Sequence, residues 1–159
     1  MNEIVKTDMK TMYPVIESVV SSGGSIKIKV TGFSMYPLVS SRRDSVVLTK
    51  AGKLKKGDVP FYRRSDGSYI LHRIVGVKDG AFKTRGDYEL KTEFPVYPEQ
   101  VVAVAKGFYR NEKYISCDSL GYKLYKLFWM NTVWLRPRIL KAISILTKKL
   151  KKKKKNIES

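Results

Sequence analysis

The sequence predicts a mainly β domain at residues 25–118, placed between an N-terminal amphipathic helix at 1–24 and an aromatic, strongly basic helical segment at 119–159. Three observations carry this. Short segments in the middle of the chain alternate apolar and polar residues with the period of two that half-buries a strand. Turn-forming pairs punctuate them at close intervals. Beyond Gly121 the alternation gives way to large apolar and aromatic residues followed by lysines, with no acidic residue from Ser119 to Ile157.

The first element is a helix, because Ile4, Val5, Met9, Met12, Val15, Ile16, Val19 and Val20 recur at three- and four-residue spacings. Pro14 is placed to kink it and Gly23-Gly24 to end it. Ile26, Ile28 and Val30 then alternate with Ser25, Lys27, Lys29 and Thr31, a strand running straight into Gly32-Phe33-Ser34-Met35-Tyr36-Pro37. Gly32 gives that turn backbone freedom and Pro37 fixes φ at its end. Ser45–Leu48 and Val59–Tyr62 read as strands on either side of a Lys53–Asp58 turn. Tyr69–Val77 reads as one strand with Ile70, His72 and Ile74 on one face and Leu71, Arg73, Val75 and Val77 on the other.

Asp79-Gly80 is a hairpin signal leading into Ala81–Arg85. Gly86-Asp87 follows, then an irregular stretch through Glu89, Glu93, Pro95 and Pro98. Gln100–Arg110 and Lys113–Ser116 make a last hairpin around Asn111-Glu112. Tyr122 to Leu135 is dense in apolar and aromatic side chains, with Lys123 and Lys126 inside it. After Pro137, a good first helical residue, Ile139, Ile143, Leu146 and Leu150 line one face opposite Lys141, Lys148 and Lys149, the pattern of an interfacial helix. Charges interrupt the segment too often for a membrane span, and the Lys151–Lys155 run reads as disordered.

The formal net charge is +18, and residues 119–157 supply twelve of those charges. Such a block after an apolar segment fits an anionic surface, whether lipid headgroups or nucleic acid. Lys148, Lys149, Lys151, Lys152, Lys153, Lys154 and Lys155 are the expected membrane-surface residues. A hydrophobic content of 43% with ten tyrosines is enough for a core and excludes wholesale disorder. Cys117 is the single cysteine, so an internal disulfide and a multi-cysteine metal site are both excluded. The N-terminus, with Glu3 and Asp8, reads as neither signal peptide nor membrane span. The expected location is cytoplasmic or peripheral to a membrane.

A serine displayed at a strand end is a candidate nucleophile, but a serine hydroxyl needs a base to take its proton. His72, the one histidine, can serve, since an ordinary imidazole pKa of about 6.5 lies near neutrality. From these residues alone the plainer readings stay open: a turn serine, and a histidine satisfied in the core between Ile70 and Ile74.

Several motifs in fixed order add to that reading. Gly32-Phe33-Ser34-Met35-Tyr36-Pro37 resembles the G-x-S-M-x-P nucleophile box of type I signal peptidases and the related LexA-like serine peptidases. Lys56-Gly57-Asp58-Val59 is similar to their G-D-V segment, and Leu71-His72-Arg73-Ile74-Val75 to the H-R-I/V box of the endoplasmic-reticulum and sporulation branch. Thr84-Arg85-Gly86-Asp87 resembles the T-K-G-D box, and Val101 to Phe108 the closing strand, so the likeness spans residues 25–110. It implies a small, antiparallel, β-barrel-like peptidase fold. Ser34 would be the nucleophile and His72 the general base, acting on a peptide or precursor protein through an acyl-enzyme without a cofactor or metal. Backbone amides of the turn around Gly32, Ser34 and Met35 would bind the oxyanion, aided by a hydroxyl such as that of Thr31.

Where the family carries an aspartate that orients the histidine, this chain offers Asp87 or, at the corresponding place further on, Glu93. Lysine is the base in the sister branch, which brings in Lys50, Lys55, Lys56 and Lys83, but the motif puts His72 at that position. The N-terminal anchor of ordinary signal peptidases has no counterpart in residues 1–24, and the basic C-terminal segment is the expected substitute. Two other classes compete: a repressor-like nucleic-acid-binding protein and an inactive membrane-associated scaffold on the same fold. No helix-turn-helix precedes Ser25, so specific nucleic-acid binding is disfavoured. The oligomeric state is left open.

Overall fold

Apolar residues three and four apart produce α1, Met9–Ser21, in the computed structural model of the chain, which describes residues 9–41, 43–139, 141–142 and 145. Ile16 and Val20 of this helix are buried. Its end is a Schellman motif: Gly24 N donates to Val19 O (2.9 Å), Gly23 N to Val20 O (3.1 Å), and Gly23 holds the required positive φ of +82°.

Nine strands follow among the described residues: β1 (Ser25–Lys29), β2 (Ser45–Thr49), β3 (Pro60–Arg63), β4 (Tyr69–Leu71), β5 (Arg73–Lys78), β6 (Ala81–Arg85), β7 (Glu93–Val96), β8 (Val101–Arg110) and β9 (Lys113–Ser116). All their pairings are antiparallel, so the fold is mainly β, as the alternation predicts. One sheet runs β1-β2-β8-β3-β4, with β9 also on β8; the other runs β5-β6-β7. The long strand β8 is the spine of the first sheet. It takes β2 along one edge and, along the other, β3 near its start and β9 near its end. Helix α1 packs on β1 and β8. Both expected hairpins form with positive φ at both central residues, Asp79 and Gly80 in one, Asn111 and Glu112 in the other.

Val46, Leu48, Phe61 and Phe108 are buried residues of the first sheet, joined by Met35 and Val39 from the loop after β1. A second apolar cluster, Tyr62, Ile74, Phe82 and Val96, draws on both sheets.

Two elements differ from expectation. Tyr69–Val77 is not one strand: it breaks at His72, with β4 closing the first sheet and β5 opening the second. The cause is competition for the backbone of Ile74, whose N donates to Asp58 O and whose O accepts from Gly57 N, each at 2.8 Å, pulling the chain off the path of β4. The stretch expected to be irregular contains β7, paired with β6 through Val96 opposite Phe82 and Glu93 opposite Thr84. Pro95 is tolerated because β7 is an edge strand.

The chain divides into two compact units, Met1–Leu124 and Tyr125–Ser159. Helix α2, Leu120–Asn131, runs from one into the other; a 3-10 turn at Val133–Leu135 and helical residues 136–139 follow. The expected amphipathic helix with Ile143, Leu146 and Leu150, and the lysines from Lys148 to Lys155, lie outside the described residues. No helix among the described residues is long and apolar enough to cross a membrane.

Arg73, expected on the strand face opposite His72, is fully buried. Its Nε and Nη2 donate to the two carboxylate oxygens of Asp87 at 2.9 and 2.7 Å, and Nη1 donates to Gly57 O and Tyr122 Oη at 3.0 Å each. A guanidinium out of water needs such a set of acceptors. One side chain therefore joins β5, the end of β6, the turn before β3 and the start of α2. Replacing Asp87 by Ala is expected to cost about 3–5 kcal/mol of stability, because Arg73 stays buried after losing its carboxylate. Urea denaturation followed by circular dichroism measures this, and a loss under about 1 kcal/mol would place the pair among those of little structural weight.

Candidate functional site

The stretch after β1 is held by its apolar residues: Val30, Met35, Leu38 and Val39 are buried, while Thr31, Gly32 and Phe33 are exposed and Ser34 is half-buried. Gly32 has φ +83°, a value that favours glycine. Tyr36 N donates to Phe33 O (3.0 Å) and Val39 N to Met35 O (3.2 Å). The amides of Ser34 and Met35 donate to no acceptor among the described residues, which leaves both for a bound group. The buried Met35 side chain anchors the turn.

Ser34 lies on the wall of a pocket of about 110 Å³, otherwise lined by Ile28 to Thr31, Met35, Val46, Phe61 and Tyr69 to Leu71. Strands β1 and β4 stand at opposite ends of the first sheet's strand order, yet both contribute to this pocket. The lining is mostly apolar.

His72 sits at the break between β4 and β5 and is only 3% exposed. Its Nδ1 is buried with no hydrogen-bond partner among the described residues. Its Nε2 lies 3.6 Å from Glu89 Oε2, and Tyr62 meets the ring edge-on at a centroid separation of 6.5 Å. Burial lowers the imidazole pKa below 6.5, opposed in part by the negative charge of Glu89. His72 is therefore mainly neutral near pH 7, and a proton carried on Nε2 would face Glu89 and leave a lone pair on Nδ1. That is the form a general base requires.

One turn, residues 86–89, touches both halves of the site. Tyr88 N donates to Ser34 O at 2.8 Å, and Glu89 N closes the turn on Gly86 O at 3.0 Å. A Cβ on Gly86 would stand 2.5 Å from Ser34 O, so only glycine allows the two backbones this close. Tyr88 also meets the Tyr36 ring edge-on at 5.8 Å. Asp87 fixes the turn to Arg73. Glu89 then faces His72. The turn so touches Ser34 through the backbone of Tyr88 and His72 through Glu89; no hydrogen bond joins Ser34 Oγ to His72, and His72 does not line the Ser34 pocket.

Among the described residues, the carboxylate within 4 Å of the His72 ring nitrogens is that of Glu89, not either expected candidate. Asp87 is engaged by Arg73. Glu93, on β7, accepts from Arg64 Nε (2.8 Å) and Tyr62 Oη (2.9 Å), and the Arg64 hydrogen bond holds its carboxyl below the usual range. The family pattern points to the aspartate and to the position further on, and not to Glu89. The cue in the sequence is its place two residues beyond Asp87, within the same turn. Of the alternative bases, Lys50, Lys55 and Lys56 are exposed and Lys83 lies over the Phe94 ring at 5.4 Å; like His72, none of them lines the Ser34 pocket. Among the described residues no group of three or more His, Cys, Asp and Glu could hold a metal ion.

No protein-family model matches this chain, and no curated protein matches it.

Two outcomes follow from the surroundings of His72. Glu89→Gln removes the group that raises the imidazole pKa, so His72 is expected to titrate lower still by NMR; an unchanged value would separate the two side chains in solution. Because the folded-state pKa lies below the unfolded one, the unfolded chain binds more protons in the window just below pH 6.5. Stability is therefore expected to fall as pH drops through that window, and His72→Gln to flatten the slope in denaturant titrations.

Proposed function

We propose that this protein is a serine endopeptidase of the signal-peptidase type, and that its β-rich body is the small antiparallel fold of the signal peptidase and LexA-like superfamily. The observation that carries the reading is the buried His72, whose Nδ1 has no partner among the described residues while its Nε2 faces a carboxylate, linked through one turn to a serine whose own and next amides meet no acceptor among those residues. A buried polar atom without a partner costs about 1–3 kcal/mol and calls for an explanation, of which a catalytic role is one.

Ser34 Oγ attacks the scissile carbonyl of a peptide or precursor protein lying in the pocket between β1 and β4. Its proton passes to His72 Nδ1, and Glu89 stabilises the resulting imidazolium from Nε2 as a positioning residue. The amides of Ser34 and Met35, with the exposed Thr31 hydroxyl nearby, hold the oxyanion. His72 then protonates the departing amine, leaving an ester on Ser34. Water gives its proton to His72, attacks the ester, and releases the new carboxylate as Ser34 recovers its hydrogen. Substrate binding is the step that brings Oγ to His72, loose contacts being ordinary in unliganded sites.

Cleavage of a peptide library, read by mass spectrometry, tests this. Ser34→Ala and His72→Ala are each expected to lower kcat/KM by about a thousandfold or more while keeping the far-ultraviolet spectrum, and cleavage retained in either variant would overturn the mechanism. For the wild type, kcat/KM should rise with pH along a limb lying below pH 6.5, set by the lowered His72 pKa. A limb above neutrality would instead indicate a lysine base.

A further inference from the structure

Helix α2 carries two apolar faces, and only one of them is covered. Tyr122 and Trp129 are buried, whereas Leu120, Leu124, Leu127 and Phe128 are each 54–73% exposed. At 100° per residue these four side chains fall within an arc of about 100°, with Asn131 as its polar end. Lys123 and Lys126 follow on one flank of the arc. Trp134, in the 3-10 turn just beyond, is 73% exposed, and Arg138 and Lys141 after it are exposed as well.

Five large apolar side chains presented to water on so short a segment mark an interaction surface. Charge selects the occupant. Residues 119–157 contain twelve basic residues and no acidic one, so the partner is anionic. An anionic partner that also takes up leucine, phenylalanine and tryptophan side chains is a lipid bilayer with acidic headgroups: acyl chains receive the apolar arc, phosphates pair with the lysines, and tryptophan settles at the boundary. A nucleic-acid backbone would answer the lysines but leave the leucines wet.

We infer that α2 and Trp134 form a monotopic docking face that lies in the headgroup region of an anionic membrane, Leu120, Leu124, Leu127 and Phe128 pointing inward. This stands apart from the peptidase reading and holds whether or not Ser34 is a nucleophile. It also assigns the apolar contact to α2, with the lysine run beyond it supplying only long-range attraction.

The test uses the full chain, sedimented with phosphatidylcholine vesicles that contain or lack phosphatidylserine, while tryptophan emission is recorded. Binding to the phosphatidylserine vesicles with a blue shift is expected, together with weak binding to phosphatidylcholine alone. Leu127→Gln with Phe128→Gln should weaken binding to the acidic vesicles about tenfold or more and abolish the blue shift, with helicity and melting temperature retained. Leu124→Gln reads the same face if the double variant unfolds. Unchanged vesicle binding in these folded variants would overturn the inference, leaving attraction to the lysines alone. So would a variant that splits an oligomer, or one that loses duplex-DNA binding, while its vesicle binding stays at the wild-type level.

Discussion

The buried ion pair between Arg73 and Asp87 is the constraint on which the rest of the first unit depends. A guanidinium and a carboxylate removed from water offset their desolvation only in close, fully bonded geometry, and here both carboxylate oxygens are engaged below 3.0 Å. This dictates where β5 begins and where the chain turns after β6. Because Asp87 is fixed, Gly86 and Tyr88 on either side of it are delivered to the backbone of Ser34, and Glu89 to His72. Asp87, expected at the histidine, thus acts one step away, by holding the turn that reaches it.

The same constraint reinforces the break in the strand that the pairing of Ile74 with residues 57–58 makes. A continuous strand from Tyr69 to Val77 would put Arg73 opposite the core side. Drawing Arg73 inward toward Asp87 and Gly57 switches the chain from one sheet to the other at His72. A residue at such a switch loses its ladder partners and can be buried without being packed on a strand face. In the proposed mechanism that position matters, since burial keeps the imidazole neutral and leaves Nδ1 for a proton, at a cost the surrounding fold has to absorb.

Much of this architecture is legible in the amino-acid sequence. Alternation locates β1, β2, β3 and β6, the Asp79-Gly80 and Asn111-Glu112 pairs locate two hairpins, and Gly23-Gly24 closes α1, because each depends on local conformational preference alone. The break at His72 and the strand β7 are not legible, since both arise from pairing with distant segments, 57–58 in one case and β6 in the other. The site divides along the same line. Ser34 and His72 stand out by residue type and motif, whereas the identity of the neighbouring carboxylate depends on which acidic residue the arginines claim. Arg73 takes Asp87, Arg64 takes Glu93, and Glu89 is what remains for the histidine. The exposed face of α2 was hidden for a related reason: periodicity marks apolar residues, but not which arc of them the fold leaves uncovered.

The central claim is that the turn at residues 86–89 assembles a nucleophile and its base, and its most direct test is to look for the covalent intermediate. Acid quenching of a peptide digest in its first turnovers, followed by proteolysis and mass spectrometry, should find an acyl ester on the fragment containing Ser34, its added mass that of the N-terminal product less one water. Cleavage that proceeds with no ester at Ser34, or with the adduct on another residue, would contradict the account.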